Sequence, residues 1–582
     1  MEGFQYPLEY TGTLDHPIGK VLTLKQTTDL KTGITKIDTV FATANTKLID
    51  NDVTIQFNVD DKNWKGSVNL HGVVNSKLGI FEGDGILPTG KWIKWSAIKN
   101  SKDPKATNES TKVKIDSTFN SKIWYPNMAY GFDSLPGNKP LVIRNATIWT
   151  NEKEGILKKA TIVCEKGKIT YVGTDDFTVP LGAVEMDANG QHVTSGIIDE
   201  HSHIAISKGV NEGGQSITAE VNISEVVTND DISIYRQIAG GVTAAQLLHG
   251  SANTIGGQSA LIKLKWGYSP NDMLIPNAPK FIKCALGENV KQSNYGDGVR
   301  FPQTRMGVEQ IFYDGFTRAN AYHNEWVSYK EGNKNARVAP RKDLELEALW
   351  EILNHERFIT CHSYVQSEIM MLMHVADSMG FKVNTFTHIL EGYKVADKMA
   401  AHGAGASTFS DWWAYKFEVN DAIPYNAKIM SDQGVVVAIN SDDSEMGRRL
   451  NQEAAKSVKY GGMSEEEAWK MVTLNPAKLL HLDTKMGSLL VGKDADIVLW
   501  TDNPLSIEAK VQMTVIDGEI LYDMKRDSVM QIKNQEEKAR IISKMLESNE
   551  EGDSKQPFIK KKKGHFHCDT IGEEALEEVN AH

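Results

Sequence analysis

The sequence predicts an α/β protein: a (β/α)8, TIM-like barrel, a small β-sandwich domain built from both of its flanks, and an extra all-β domain at the N-terminus. Three observations carry this. Residues 193–481 alternate apolar, β-branched runs with helical periodicity, the signature of a parallel sheet, over a length that suits one barrel. Short strand-like runs bracket that stretch, in 140–192 and 482–525. Residues 1–135 carry strand signals only.

In the N-terminal part, 21–25, 34–43, 53–59, 64–74 and 92–95 are rich in β-branched and aromatic residues, with Gly, Asn and Asp between them. An antiparallel sandwich satisfies that pattern, with 100–110 as a long polar loop. No ligand constellation stands out there, so a structural appendage is the expected role and a docking module the alternative. The flanking runs 141–149, 167–173, 496–500 and 515–521 read as one composite sheet. Barrel strands are expected at 196–198, 242–248, 280–286, 358–361, 382–387, 405–408 and 435–439. Helices are expected between them, at 345–354, 366–379, 393–401 and 464–474. The Met-rich stripe of 368–379 reads as core. The tail, 526–582, holds a charged helix at 531–546, then four lysines and His565, His567 and Cys568. That last cluster reads as a docked or disordered end rather than a metal site.

Composition narrows the function. The chain has 582 residues, 40% hydrophobic and 24% charged, with a formal net charge of −12. That balance is globular. It argues against nucleic acid or an anionic membrane as partner and leaves a small molecule or short peptide. Four scattered cysteines, Cys164, Cys284, Cys361 and Cys568, lack CxxC spacing, so no disulfide framework is expected. No apolar run is long enough to span a bilayer, and the first residues lack a basic segment followed by an apolar core. A cytoplasmic chain and a mature or truncated exported form both fit.

The chemistry is written at the strand ends. The first barrel strand runs into His201 and His203, spaced so that both imidazoles face one side. The fourth leads to Glu288, the fifth ends in His362, the sixth in His388, and the eighth leads to Asp442. Four histidines and two carboxylates at the catalytic end of a barrel point to one or two divalent metals. Zinc is the default, with iron or manganese as alternatives. A metal there makes water nucleophilic at neutral pH. Asp442 is the expected proton shuttle, and His388 the expected polarising partner of the substrate carbonyl. Residues on the loops beyond the strands, His249, Asn253, Gln258 and Tyr393, are candidate substrate contacts, with Tyr364, Asp411 and Arg448 as weaker ones.

Several motifs together resemble the amidohydrolase superfamily: Asn145-Ala146-Thr147, Gly167-Lys168-Ile169, the run from Gly196 to His203, Asn475-Pro476-Ala477, and the run from Gly492 to Val498. Gly240-Gly241-Val242-Thr243, Gly250-Ser251-Ala252-Asn253, Ile255-Gly256-Gly257-Gln258, Gly287-Glu288-Asn289 and the run from Glu391 to Ala396 are similar to its imidazolonepropionase-like branch, which includes Xaa-Pro and Xaa-Arg dipeptidases. The resemblance covers about 140–525. It implies that His201, His203, His362 and Asp442 match the metal ligands. It also implies that His388 binds a second metal or contacts substrate. Two-metal members bridge their ions from the fourth strand with a carboxylated lysine or a glutamate. Lys283 aligns with the lysine, while Glu288 offers an unmodified carboxylate and is preferred here. Ser195 departs from the pattern, which has proline before the first strand. The expected activity is hydrolysis of a C–N bond in an amide, cyclic amide or dipeptide. Deamination or lactone hydrolysis is the alternative, and a non-catalytic scaffold a third. By analogy with related barrels, a homo-oligomer is compatible.

Overall fold

The computed structural model describes residues 9–14, 22–26, 33–37, 40–49, 52–60, 65–75, 80–86, 88, 90, 92–100, 123–207, 209–292, 300–332, 338–412 and 415–551. The chain divides into two units, one of residues 1–121 with 528–561 and one of 122–527 with 562–582. The loop expected at 100–110 and the tail cluster at His565, His567 and Cys568 lie outside the described residues.

Among the described residues the first unit holds eight strands: β1 (Glu9–Leu14), β2 (Leu22–Gln26), β3 (Gly33–Ile37), β4 (Val40–Ile49), β5 (Asp52–Asp60), β6 (Lys65–Asn75), β7 (Ile80–Ile86) and β8 (Trp92–Asn100). They form one antiparallel sheet in the order β1-β8-β7-β6-β5-β4-β3-β2. Each strand from β2 to β8 pairs with its sequence neighbours, and β1 and β2 lie side by side at the ends of that order. Among the described residues these strands make one sheet, where the sequence pattern suggested a sandwich of two. Alternation holds where side chains are described. Val53, Ile55 and Phe57 on β5 and Val68 and Leu70 on β6 are buried, with polar residues between them. The run expected as one strand at 34–43 is two strands, β3 and β4.

In the second unit, a composite sheet takes β9 (Leu141–Trp149), β10 (Ile156–Glu165), β11 (Lys168–Gly173), β12 (Val184–Asp187) and β13 (His192–Ser195) from before the barrel. It takes β23 (Ile497–Trp500), β24 (Val511–Ile516) and β25 (Glu519–Asp523) from after it. The order is β11-β10-β9-β13-β23-β24-β25, with β12 on β9. β13 and β23 join the two flanks, register Thr194 to Val498. Residues 122–135, grouped by sequence with the N-terminal part, make their described contacts within this second unit. Phe132 is buried in the barrel's core, and Trp266 donates its indole N–H to the Tyr130 carbonyl (3.1 Å).

The TIM-like barrel is built from β14 (Ile197–Ser202), β15 (Val242–Leu247), β16 (Ile255–Gln258), β17 (Ala260–Lys263), β18 (Lys280–Ala285), β19 (Arg357–His362), β20 (Val383–Thr387), β21 (Gly405–Thr408) and β22 (Val437–Ile439). β14 pairs parallel with β15, and β18 to β22 pair parallel in succession. The all-parallel expectation fails at the third position. There β17 runs antiparallel to β15, and β16 antiparallel to β18. Residues 255–263 thus bridge the two parallel blocks as one extended run. Its glycines and short length hid it from a strand search. Where β22 meets β14, the Met471 and Val472 carbonyls accept from Ile439 and Ile198, and Asp442 N–H donates to the His201 carbonyl (3.1 Å). Gly196 sets the entry to β14: a Cβ there would lie 2.0 Å from Thr243 Oγ1.

Helices Leu344–Leu353, Gln366–Met379, Ala396–His402 and Asn426–Asp432 follow or precede these strands. The Met-rich stripe is core, with Ile369, Leu372, Met373, Val375 and Ala376 buried. The helix expected at 464–474 is two, Glu465–Lys470 and Leu474–Leu479. The long helix Arg305–Glu331 was not anticipated, and the tail helix runs Met524–Glu551. No helix among the described residues is long and apolar enough to cross a membrane. Cys164, Cys284 and Cys361 are free and buried.

Candidate metal centre

The C-terminal ends of the barrel strands gather the predicted histidines. β14 is buried throughout, and it delivers His201 and His203 at successive same-side positions. Their ring centroids are 5.2 Å apart. His201 and His388 rings lie 4.2 Å apart, and His362 and His388 rings 5.2 Å. Asp442 stands against three of them. Its Oδ1 is 3.1 Å from His203 Nε2 and 3.6 Å from His201 Nε2, and its Oδ2 is 3.4 Å from His388 Nε2. Ligand atoms of His201, His388 and Asp442 lie within 4.8 Å of one another.

Backbone geometry aims two of these groups. His388 and Asp442 follow β20 and β22 with φ of 58° and 47°, the left-handed region that non-glycine residues rarely occupy. Such a residue costs about 1–3 kcal/mol and persists where the surroundings fix it. At Asp442, Asp199 does the fixing. Its carboxylate accepts from Ser441 N–H (3.1 Å) and Ser441 O–H (2.5 Å), tying the Asp442 turn to β14.

The imidazoles are oriented by oxygen partners. His203 Nδ1 lies 2.8 Å from the Leu248 carbonyl and His201 Nδ1 2.9 Å from Thr387 Oγ1. With Nδ1–H donating, each Nε2 presents a lone pair toward Asp442, the tautomer a metal ligand needs. Thr387 in turn donates toward Glu200 (3.4 Å). Among the described residues, fully buried His362 has no hydrogen-bond partner on either ring nitrogen. A buried imidazole left so is costly, and a metal ion is one of the few partners that would satisfy it. The donor set therefore fits a divalent cation.

Electrostatics agree. Burial, followed by Lys283 and the neighbouring imidazoles, pushes the His201 pKa well below its ordinary value. Burial, with His388 and Lys416, does the same to His362. Both rings are neutral at pH 7. Burial pushes Asp442 up, but His388, His203 and Lys283 outweigh it and hold the carboxyl well below the usual range. Asp199 and Glu200, buried beneath, are raised to about 7 and about 8 by desolvation.

At the fourth strand, Lys283 and not the preferred Glu288 lies beside the histidines. Lys283 on β18 is fully buried, with Nζ 3.0 Å from His201 Nε2. Glu288 begins a short helix beyond the strand. Its carboxylate pairs with Lys291 (2.9 Å) and Arg305 (3.1 Å), and no described contact joins it to the histidines. Two cations claim its carboxylate in this geometry.

The four expected substrate contacts are engaged elsewhere. His249 donates from Nδ1 to the Gly250 carbonyl (2.9 Å) and accepts at Nε2 from Glu212 N–H (2.8 Å). Asn253 donates to the Glu212 carbonyl (2.8 Å) and to Thr218 Oγ1 (2.5 Å), and Gln258 to the Ala219 carbonyl (2.9 Å). Tyr393 donates its hydroxyl to the Asp421 carbonyl (2.9 Å). These residues pin loops around the mouth. Of the weaker candidates, Asp411 pairs with Lys456 and Arg448 with Glu445, whereas Tyr364 packs its ring 4.6 Å from that of His362.

What sequence reasoning missed is an aromatic wall after β21. Phe409 stacks on His388 (4.7 Å, 16°), Trp412 on Phe409 (4.5 Å, 24°), and Tyr415 meets Trp412 edge-on (5.6 Å). Beside it, Lys416 Nζ stands 4.4 Å over the Tyr364 ring. The dense aromatic run from Trp412 to Tyr415 was the available signal.

Residues 361–521 match the model of the Amidohydrolase family. The chain is 30% identical over 429 residues to amidohydrolase tasK of Hapsidospora irregularis, covering 66% of this chain and 44% of that protein. The match thus spans less than half of tasK's length. It is also 23% identical over 367 residues to imidazolonepropionase of Thermoplasma volcanium, covering 59% of this chain and 84% of that protein. A solved amidohydrolase from Thermotoga maritima MSB8 matches with a TM-score of 0.60 and 26% identity, covering 66% of this chain and all of the other. The chain thus resembles the amidohydrolase family and, within it, imidazolonepropionases.

Proposed function

We propose that this chain is an amidohydrolase that cleaves a C–N bond of a small amide, cyclic amide or dipeptide, using one or two divalent metals held by His201, His203, His362, His388 and Asp442. Zinc is the metal this donor set suits by default. Lys283, as a carboxylated side chain, is the fourth-strand group of the centre, in place of Glu288. A closed (β/α)8 barrel with its chemistry at the strand ends is the matching architecture. The convergence of His201, His203, His388 and Asp442 around one point, with the unsatisfied His362 beside them, carries the reading.

When bound, a divalent metal supplies Lewis acidity toward a carbonyl oxygen and lowers the pKa of water toward 7. Asp442, ionised at neutral pH, accepts the proton of the attacking water at a carboxylate oxygen. It then returns that proton to the leaving nitrogen, so no free amide anion forms. His388, stacked on Phe409, is held rigidly enough to face the carbonyl as charge develops on oxygen. Asp199 keeps the Asp442 turn in its left-handed conformation throughout.

Elemental analysis of the purified chain, paired with a screen of dipeptides, N-acyl amino acids and cyclic amides, tests this. One to two metals per chain and amine release on at least one class are expected. Full activity in folded, metal-free protein would remove the reading.

A further inference from the structure

A cleft of about 650 Å³, within the range of small-molecule sites, opens on the flank of the barrel. Residues 215–217, Phe301 and one side of the helix Arg305–Glu331 line it, and none of the candidate metal ligands does. It lies on the outer face of β16. A Cβ placed on Gly315 of that helix would stand 3.0 Å from Ile217 and 3.4 Å from Ile255 of β16. The 215–217 segment and the helix thus pack onto the sheet from outside.

Part of the lining is apolar. Ile217 and Ile311 are buried, and Phe301 stands at the rim, 56% exposed. A ligand that covered this ring would take apolar surface out of water.

The rest of the lining carries charge. Arg318 Nη1 lies 3.0 Å from Glu345 Oε1 and 3.9 Å from Asp314 Oδ2. Arg318 Nε and Nη2 have no partner among the described residues, and the side chain is 45% exposed. Those two nitrogens form one edge of the planar guanidinium fork, the edge that takes a carboxylate in two parallel bonds. Glu345 is half-buried. Burial raises its carboxyl pKa against the pull of Arg318, and Glu220 adds to the rise. A second cation beside Glu345 would offset that burial. An open guanidinium edge, two carboxylates next to it and an apolar surface complement the three parts of an α-amino acid.

We propose that this cleft is a second ligand site, taking a free α-amino acid with an apolar or aromatic side chain: Arg318 holds its carboxylate, Glu345 and Asp314 its ammonium, and Ile217, Ile311 and Phe301 its side chain. The assignment stands apart from the C–N hydrolysis proposed above and involves no making or breaking of bonds.

The test compares three probes by calorimetry on the full-length chain at pH 7.5, in metal-loaded and chelated protein. They are phenylalanine, 3-phenylpropanoate, which lacks the ammonium, and 2-phenylethylamine, which lacks the carboxylate. Phenylalanine is expected to bind at least about 10-fold more tightly than either in both forms of the protein. Arg318→Met should bring phenylalanine within about 3-fold of the amine, and Glu345→Gln with Asp314→Asn should bring it within about 3-fold of the acid. Arg318 and Asp314 are exposed, so their replacement leaves the fold intact. Asp442→Asn, at the strand-end centre, should leave all three affinities unchanged. Bound phenylalanine should slow amide hydrogen exchange in 216–218, where Ile255 N–H donates to the Ser216 carbonyl (3.3 Å) and Thr218 N–H to the Ile255 carbonyl (3.0 Å). Absence of phenylalanine binding, equal affinity for the three probes, or a preference that survives Arg318→Met overturns the proposal. So does a preference seen only with metal bound or lost in Asp442→Asn, because the strand-end centre would then be the site. Unchanged exchange in 216–218 overturns it as well.

Discussion

Lowering the pH sets the unfolded chain against the folded barrel at His249. In the fold this imidazole is neutral and fully used, donating to the Gly250 carbonyl and accepting from Glu212 N–H. Burial pushes its pKa down from 6.5 to about 4, against the lone favourable contact from Gly250, with Lys283 and His203 adding to the depression. Below 6.5 the unfolded chain binds a proton that the folded chain refuses until about pH 4, so stability falls as pH falls through that window. Across the whole window the loss is about 3 kcal/mol, and between pH 7 and pH 5 about 2 kcal/mol. His249→Gln removes this titration. Urea denaturation at pH 7 and pH 5, followed through the buried Trp266 and Trp469 in metal-saturated protein, gives the two slopes. The wild type should lose about 2 kcal/mol more than the variant between those pH values. The other buried histidines are common to both proteins and cancel. Parallel losses in the two proteins would refute the reasoning, since His249 would then be charging in the folded state.

Three further outcomes follow from the site and the core. Asp442→Asn should lower turnover of any substrate found by on the order of 10³-fold with circular dichroism unchanged. A variant retaining more than about a tenth of activity would remove the carboxylate from proton transfer. Lys283→Ala should lower the metal content of purified protein, while Glu288→Gln leaves it unchanged; the reverse pattern in elemental analysis would return the fourth-strand role to Glu288. Phe316→Ala empties a fully buried site that packs on Phe381 at 4.4 Å and should destabilise the barrel by about 3–5 kcal/mol in urea. A loss under 1 kcal/mol would mean the helix Arg305–Glu331 relaxes into the space.

The clustering of the strand-end histidines with Asp442 was legible because strand ends in a barrel share one face of the molecule. His201 and His203 follow from period-2 alternation, and His362, His388 and Asp442 from their place after apolar runs. Their aim was not legible. The left-handed turns at His388 and Asp442 depend on tertiary contacts, such as Asp199 on Ser441, that join residues far apart in the chain. Glu288 misled because a carboxylate after a strand looks like a ligand, until Arg305 and Lys291, from a following helix and the next turn, are seen to hold it. His249, Asn253, Gln258 and Tyr393 misled in the same way. A polar residue on a mouth loop reads alike whether it faces substrate or fastens the loop. The antiparallel run at 255–263 was missed because Gly256 and Gly257 broke the apolar pattern that marks a buried strand.

The pairing of β13 with β23 has a consequence for synthesis on the ribosome. Every barrel strand emerges between these two partners. At roughly 5–20 residues per second, about 15–60 s separate the appearance of Ser195 from that of Ile497. During that interval β13 offers an unpaired strand edge, the kind that recruits other chains. The nascent chain therefore passes through a stage in which its growing barrel rests on an unfinished floor, and expression at a lower elongation rate prolongs that exposure.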